Sequence, residues 1–135
     1  MAHSFLEFNH RMIRLNDTDI LVSLLLISEA LAGSSDGGDM KVLVIVDGWL
    51  RQVDEWGPGC IELHLDKHIV PPLTPSVFVR ALRMSQVYAA TYGSEVPFVH
   101  ANKRLGVFHS KTSGGVPVSC IQGALSKIVA LIQGE

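Results

Sequence analysis

Only two cysteines, Cys60 and Cys120, occur in 135 residues. They lie far apart and outside any CxxC pattern, which excludes a zinc ribbon and a disulfide framework and fits a reducing compartment. An excess of one charge is lacking too. Eleven Lys and Arg face 13 Asp and Glu, for a formal net charge of −2, and no basic block occurs, so the electrostatic footprint of a nucleic-acid-binding protein is absent. The longest apolar stretch, 20–27, is interrupted by Ser23 and is too short to span a bilayer. Residues 1–15 alternate charge and hydrophobicity and lack the basic-then-apolar order of a signal peptide. The expectation is a soluble, cytoplasmic protein with no membrane partner. Charged residues make up 18%, below the usual quarter, against 47% hydrophobic. Such a surface predicts that part of it is covered, most simply by a second copy in a homodimer. The length fits one domain.

What is present is punctuation between apolar segments. Residues 5–15 alternate as a strand does, with Leu6, Phe8, His10, Met12 and Arg14 on one face. Asn16 and Asp17 offer cap oxygens and Asp19 a first-turn carboxylate to a helix whose apolar run, 20–32, stops at Gly33. Residues 34–39 read as a loop, 41–46 as a strand, and Asp47-Gly48 as a hairpin turn into a return strand over 49–56. Gly57-Pro58-Gly59 is a second turn and 60–66 a third strand, so residues 5–66 read β-α-β-β-β. Beyond Pro71 and Pro72, Thr74 caps and Pro75 opens a helix running over 77–92 to Gly93. With a short strand at 67–70 before it and strands at 96–100, 105–109 and 116–122 after it, residues 67–122 repeat the same unit. Leu125, Ile128, Val129 and Ile132 are spaced for a short closing helix over about 124–133.

The order of certain motifs carries a resemblance spanning residues 5–125. They are Asn9-His10 followed by Asp17, Leu31-Ala32-Gly33 at a helix end, Gly48-Trp49 at a hairpin, Glu62-Leu63-His64-Leu65 on a strand, and Thr112-Ser113-Gly114-Gly115 before VPVSCIQ. In that order they resemble the vicinal oxygen chelate superfamily, which includes glyoxalase I, extradiol dioxygenases and bleomycin-resistance proteins. The resemblance implies an α+β fold of two βαβββ modules forming a cup-shaped open mixed sheet. It also implies a divalent metal (Zn, Ni, Mn or Fe) on His10, Glu62 and His68, in a lyase, transferase or dioxygenase acting on a small molecule. The fourth ligand position of the family falls on Ser119, where a hydroxyl replaces a carboxylate and is a poor ligand. That departure favours a non-catalytic, drug-sequestering protein similar to the bleomycin-resistance type.

Read from the residues themselves, Glu62, His64 and Asp66 would share one strand face and converge with His10 on a cation, and the same face equally suits solvent. The loop from His109 to Gly115 combines backbone amides, hydroxyls and the Lys111 ammonium, which suits a phosphonate or carboxylate and equally an ordinary turn. Trp49 and Trp56, with Phe98 and Phe108, read as a pocket wall or as core. Arg11 and Arg14 flank His10 and read as groups that neutralise an anionic substrate or as simply exposed; Arg14, Trp49, Lys111 and Ser119 are the candidate substrate-binding residues. Cys120 reads as a soft ligand or nucleophile or, with no histidine beside it in sequence, as a small buried residue. A reading from a different class is a small dimeric protein-binding module, such as an effector chaperone or an immunity protein.

Overall fold

Asn16 decides where the first helix begins: its side chain accepts from the backbone amides of Thr18 at 2.8 Å and Asp19 at 3.4 Å. The computed structural model describes residues 3–56, 62–105 and 113–134. From that cap, α1 (Asp17–Leu31) is buried along its whole apolar length, and α2 (Gly37–Trp56), α4 (Pro75–Ala90) and α6 (Val118–Gln133) pack around it. A helix that is apolar all round must be wrapped all round, and three amphipathic helices do so. Between them lie α3 (Leu65–His68) and α5 (Phe98–Ala101), each a single turn. Two antiparallel ribbons complete the chain: β1 (His3–Phe8) with β2 (Arg11–Asn16), and β3 (Glu95–Pro97) with β4 (Gly115–Pro117). No helix among the described residues is long and apolar enough to cross a membrane.

This helical bundle is not the expected pair of βαβββ modules forming a cup-shaped sheet. The described residues hold six helices and only two two-stranded sheets. The segment expected as strand, hairpin and return strand over 41–56 is the continuous helix α2. Asp36 starts it, accepting from the amides of Gly38 at 2.8 Å and Asp39 at 3.1 Å. The buried side chains Val42, Val46, Trp49, Leu50 and Val53 then recur at helical spacing, and this periodicity overrides the local Asp47-Gly48 turn signal. The strand expected over 60–66 is likewise absent where the chain is described. Residues 62–64 are irregular and Leu65 opens α3.

The second half departs in the same direction. The strand expected over 96–100 ends at Pro97 and gives way to α5, and that expected over 116–122 ends at Pro117 and gives way to α6. Most of the strand expected at 105–109 lies outside the described residues. The first strand, 5–15, is folded back on itself. Asn9 and His10 both take positive φ, 51° and 66°, in a two-residue turn that pairs Phe8 with Arg11. Side-chain parity resets at such a turn, so Leu6, Phe8 and Leu15 face the core while Phe5, Met12 and Arg14 face outward.

Polar ties hold the helices in place. Arg80 of α4 reaches both Asp36 at 2.9 Å and the buried Asp39 at 3.1 Å at the start of α2, and Ser34 also donates to Asp39 at 2.9 Å. The Gln86 amide donates to the Gln122 carbonyl at 3.2 Å while the Gln122 amide donates to the Gln86 carbonyl at 2.7 Å, stitching α4 to α6. Gly48 has no comparable reason to be glycine, since a Cβ there would meet nothing within 4 Å. Gly48→Ala therefore removes backbone entropy from the unfolded chain without a clash. It should stabilise the fold by about 0.5–1 kcal/mol, raising the thermal midpoint by about 2–4 °C in a calorimetric scan.

Candidate functional site

Between Ile20 and Leu31 the only charged residue of α1 is Glu29. Its side chain is 23% exposed. Three donors from two other elements converge on it. The Tyr88 hydroxyl donates to Oε1 at 2.8 Å, the Tyr92 hydroxyl donates to the same oxygen, and His100 Nε2 lies 2.6 Å from Oε2. Tyr88 and Tyr92 stand one helical turn apart, from the end of α4 into the turn after it, with rings edge to face at 5.8 Å. His100 comes from α5, which β3 and β4 present to them through the Phe98 amide, bonded to the Gly114 carbonyl at 3.0 Å.

The proton count fixes the roles. Tyr92 has one hydroxyl proton, which goes to Glu29, yet its oxygen also lies 2.8 Å from His100 Nε2. Nε2 must therefore carry the proton and share it between Glu29 Oε2 and the Tyr92 oxygen. Nδ1 makes no hydrogen bond to any described residue. Burial pushes the Glu29 carboxyl up, but hydrogen bonds from Tyr92, Tyr88 and His100, with the His100 charge, outweigh it and hold the group below the ordinary carboxylate range. Burial, then the bond to Glu29, raises the Tyr92 phenol well above its usual value. Tyr88 is raised as well. Its bond with Tyr92 acts downward, and burial and Glu29 outweigh it. The result is an ionised carboxylate that accepts from and orients the His100 ring, beside two phenols kept protonated.

A second polar chain runs alongside. Ser28, the neighbour of Glu29, donates to Asp47 of α2 at 2.7 Å, and Arg104, four residues beyond His100, reaches the same Asp47 oxygen at 3.4 Å. The Arg104 side chain is 42% exposed, so its guanidinium is tied to Asp47 and open to solvent.

The residues singled out from sequence lie elsewhere. His10 occupies the hairpin turn, which rests on α3 through the Asn9 amide bonded to Asp66 Oδ1 at 3.0 Å. Glu62 and His64 form an exposed pair at 3.2 Å and line a shallow hollow with Phe5 and Glu7. His68 faces a different hollow, where burial, with Lys67 and His64, lowers its pKa, and its ring meets Trp49 edge-on at 5.6 Å. Trp49 itself is core, packed also on Phe78 at 6.2 Å. Arg14 is exposed on the outer hairpin face opposite Phe5, and Ser119 is exposed in the first turn of α6. Cys120, read as buried, is exposed. Lys111, Phe108, Cys60 and the Trp56 side chain lie outside the described residues. Among the described residues no three His, Cys, Asp or Glu side chains gather as a cation-binding group. Glu62 and His64 thus share one hollow, His68 lines another, His10 stands in the hairpin turn and Ser119 in the first turn of α6.

No protein-family model, no curated protein and no solved structure matches this chain.

Proposed function

We propose that this chain is an enzyme of proton transfer, acting on small anionic carbonyl compounds, with His100 as the base. The carrying observation is the Glu29–His100 pair at 2.6 Å, which puts a proton on Nε2, so that the neutral ring in this reading has its lone pair on Nδ1. A carboxylate on the far nitrogen orients the ring and stabilises the imidazolium that forms when Nδ1 takes a proton. The His100 side chain is 33% exposed, within reach of a small molecule. Arg104 supplies a fork of donors for a substrate carboxylate or phosphate. In the reaction, Nδ1 takes a proton from the carbon next to the carbonyl, leaving an enolate, and returns it to that carbon or to the enolate oxygen. Tyr88 and Tyr92, kept protonated, hold the carboxylate in place through the cycle.

The test is proton exchange in D2O, followed by NMR over a panel of 2-oxo acids and phosphorylated ketones. At least one member should wash in deuterium about 100-fold faster than in buffer, and His100→Gln should remove that gain. Arg104→Gln should raise KM more than it lowers kcat. A panel with no member exchanging above the buffer rate sinks the proposal.

A further inference from the structure

Two exposed apolar surfaces lie side by side on this molecule. One is a groove of about 490 Å³ between α2 and the segment after α3, lined by Met40, Val44, Val70, Pro71 and Leu73, with Lys41 and His68 as its polar members. Val44 is 67% exposed and Met40 51%. The other is the outer face of the β1–β2 ribbon, where Phe5 is 62% and Met12 58% exposed and Glu7 stands opposite Met12. Phe5, Glu7 and Lys67 line one hollow and His68 lines the groove, so the short helix α3 borders both surfaces. Apolar side chains this exposed and this clustered mark a surface that is covered in the working protein.

We propose that a second copy of this chain covers it reciprocally: the Phe5–Met12 face of each protomer seats in the groove of the other, about a two-fold axis at α3. Each surface supplies what the other lacks. The ribbon projects two large side chains and the groove is concave. The ribbon side carries Glu7, Glu62 and Asp66 against Lys67 and Arg14, an acidic excess, and the groove carries Lys41. Because both surfaces border α3, two equal contacts close the assembly and leave no free end for filament growth. The low charge of the chain, 18%, fits the same covering.

Sedimentation velocity and light scattering between about 1 and 200 μM test this, a range set by affinities from μM upward. The expected species has twice the 14.7 kDa chain mass. Phe5→Asp and Val44→Asp change exposed side chains and should each give a monomer that still melts in one cooperative transition. The decisive experiment mixes those two variants. In a reciprocal dimer one of the two contacts is then fully wild type, so the mixture should dimerise although neither variant does alone. Lys41→Glu should weaken the wild-type dimer at least 10-fold, and Glu7→Lys added to it should restore the affinity. A wild-type chain that stays monomeric at 200 μM overturns the proposal and leaves the groove to another protein or ligand. So does a mass that grows without limit, a dimer indifferent to Val44→Asp, or a variant mixture that remains monomeric.

Discussion

Glu29→Gln should cost about 2 kcal/mol at pH 7 and progressively less as pH falls through the folded-state pKa of Glu29. The carboxylate accepts from Tyr88, Tyr92 and His100 in a largely buried position, and hydrogen bonds to a charged group contribute about 1.5–3 kcal/mol each when lost without replacement. Glutamine keeps one acceptor for the tyrosines but turns an amide donor toward the proton on His100 Nε2, so part of the network survives and part is opposed. The pH dependence follows from the direction of the shift. The folded-state pKa of Glu29 lies below its ordinary 4.5, so its contribution is complete above that value and is lost as pH falls through the folded pKa. Urea melts of the two proteins should therefore differ at neutral pH and converge in acid. At the other end Tyr92, raised in the fold, keeps its proton after the unfolded chain has lost it, so wild-type stability should decline as pH rises above 10. That alkaline decline should be shallower in Glu29→Gln, because Glu29 is one cause of the Tyr92 shift. Equal urea midpoints for the two proteins at pH 7 would show that the carboxylate adds nothing to the fold.

Helix boundaries set by side-chain chemistry were readable, because the donor and acceptor sit within a few residues of each other. Asn16 caps α1, and Thr74 with Pro75 opens α4, its hydroxyl accepting from the Val77 amide at 3.3 Å. What misled was strong local chemistry outvoted by periodicity. Asp47-Gly48 is a hairpin signal in isolation, yet Val42, Val46, Trp49, Leu50 and Val53 lie on one helical face, and burying that face against α1 outweighs the turn preference of two residues. The β-branched run 41–46 and the apolar run 116–122 are short enough to suit either state, and only length decides between them. In the first ribbon the alternation was real, but a two-residue turn in its middle exchanged the faces.

The site left a fainter trace. A lone glutamate in an apolar run, and two tyrosines four residues apart, are the marks of a buried carboxylate and of the helix face that serves it. Neither says that they meet, since Glu29 and His100 are 71 positions apart and only the packing of α1 against α4 and α5 joins them. The histidines that drew attention were those clustered in sequence. His64 and His68 stand one helical turn apart, the His68 amide bonded to the His64 carbonyl at 3.3 Å, yet their side chains line different hollows.

The small ribbon β3–β4 connects that site to the rest of the fold, and Gly115→Ala should break it. A Cβ at Gly115 would sit 2.3 Å from the Val96 carbonyl oxygen and 2.8 Å from its carbon, both backbone atoms that cannot turn aside. The pairing of Pro97 with Gly115 must then open, at a cost of about 2–4 kcal/mol, in the range of overpacked and strained sites. The damage should also be directional. Opening the ribbon releases the Phe98 amide from the Gly114 carbonyl, and with it the start of the turn that carries His100. The imidazole then loses its hold on Glu29 while α1, α2 and the β1–β2 ribbon keep their contacts. NMR should show the His100 ring resonances moving toward solvent values and amide exchange accelerating over 94–101, with α1 amides still protected under native conditions. Gly123→Ala is the control, because a Cβ there meets nothing within 4 Å on α6, and it should raise stability and leave His100 unmoved. If Gly115→Ala kept wild-type stability and an unshifted His100, the ribbon could not be what positions the base.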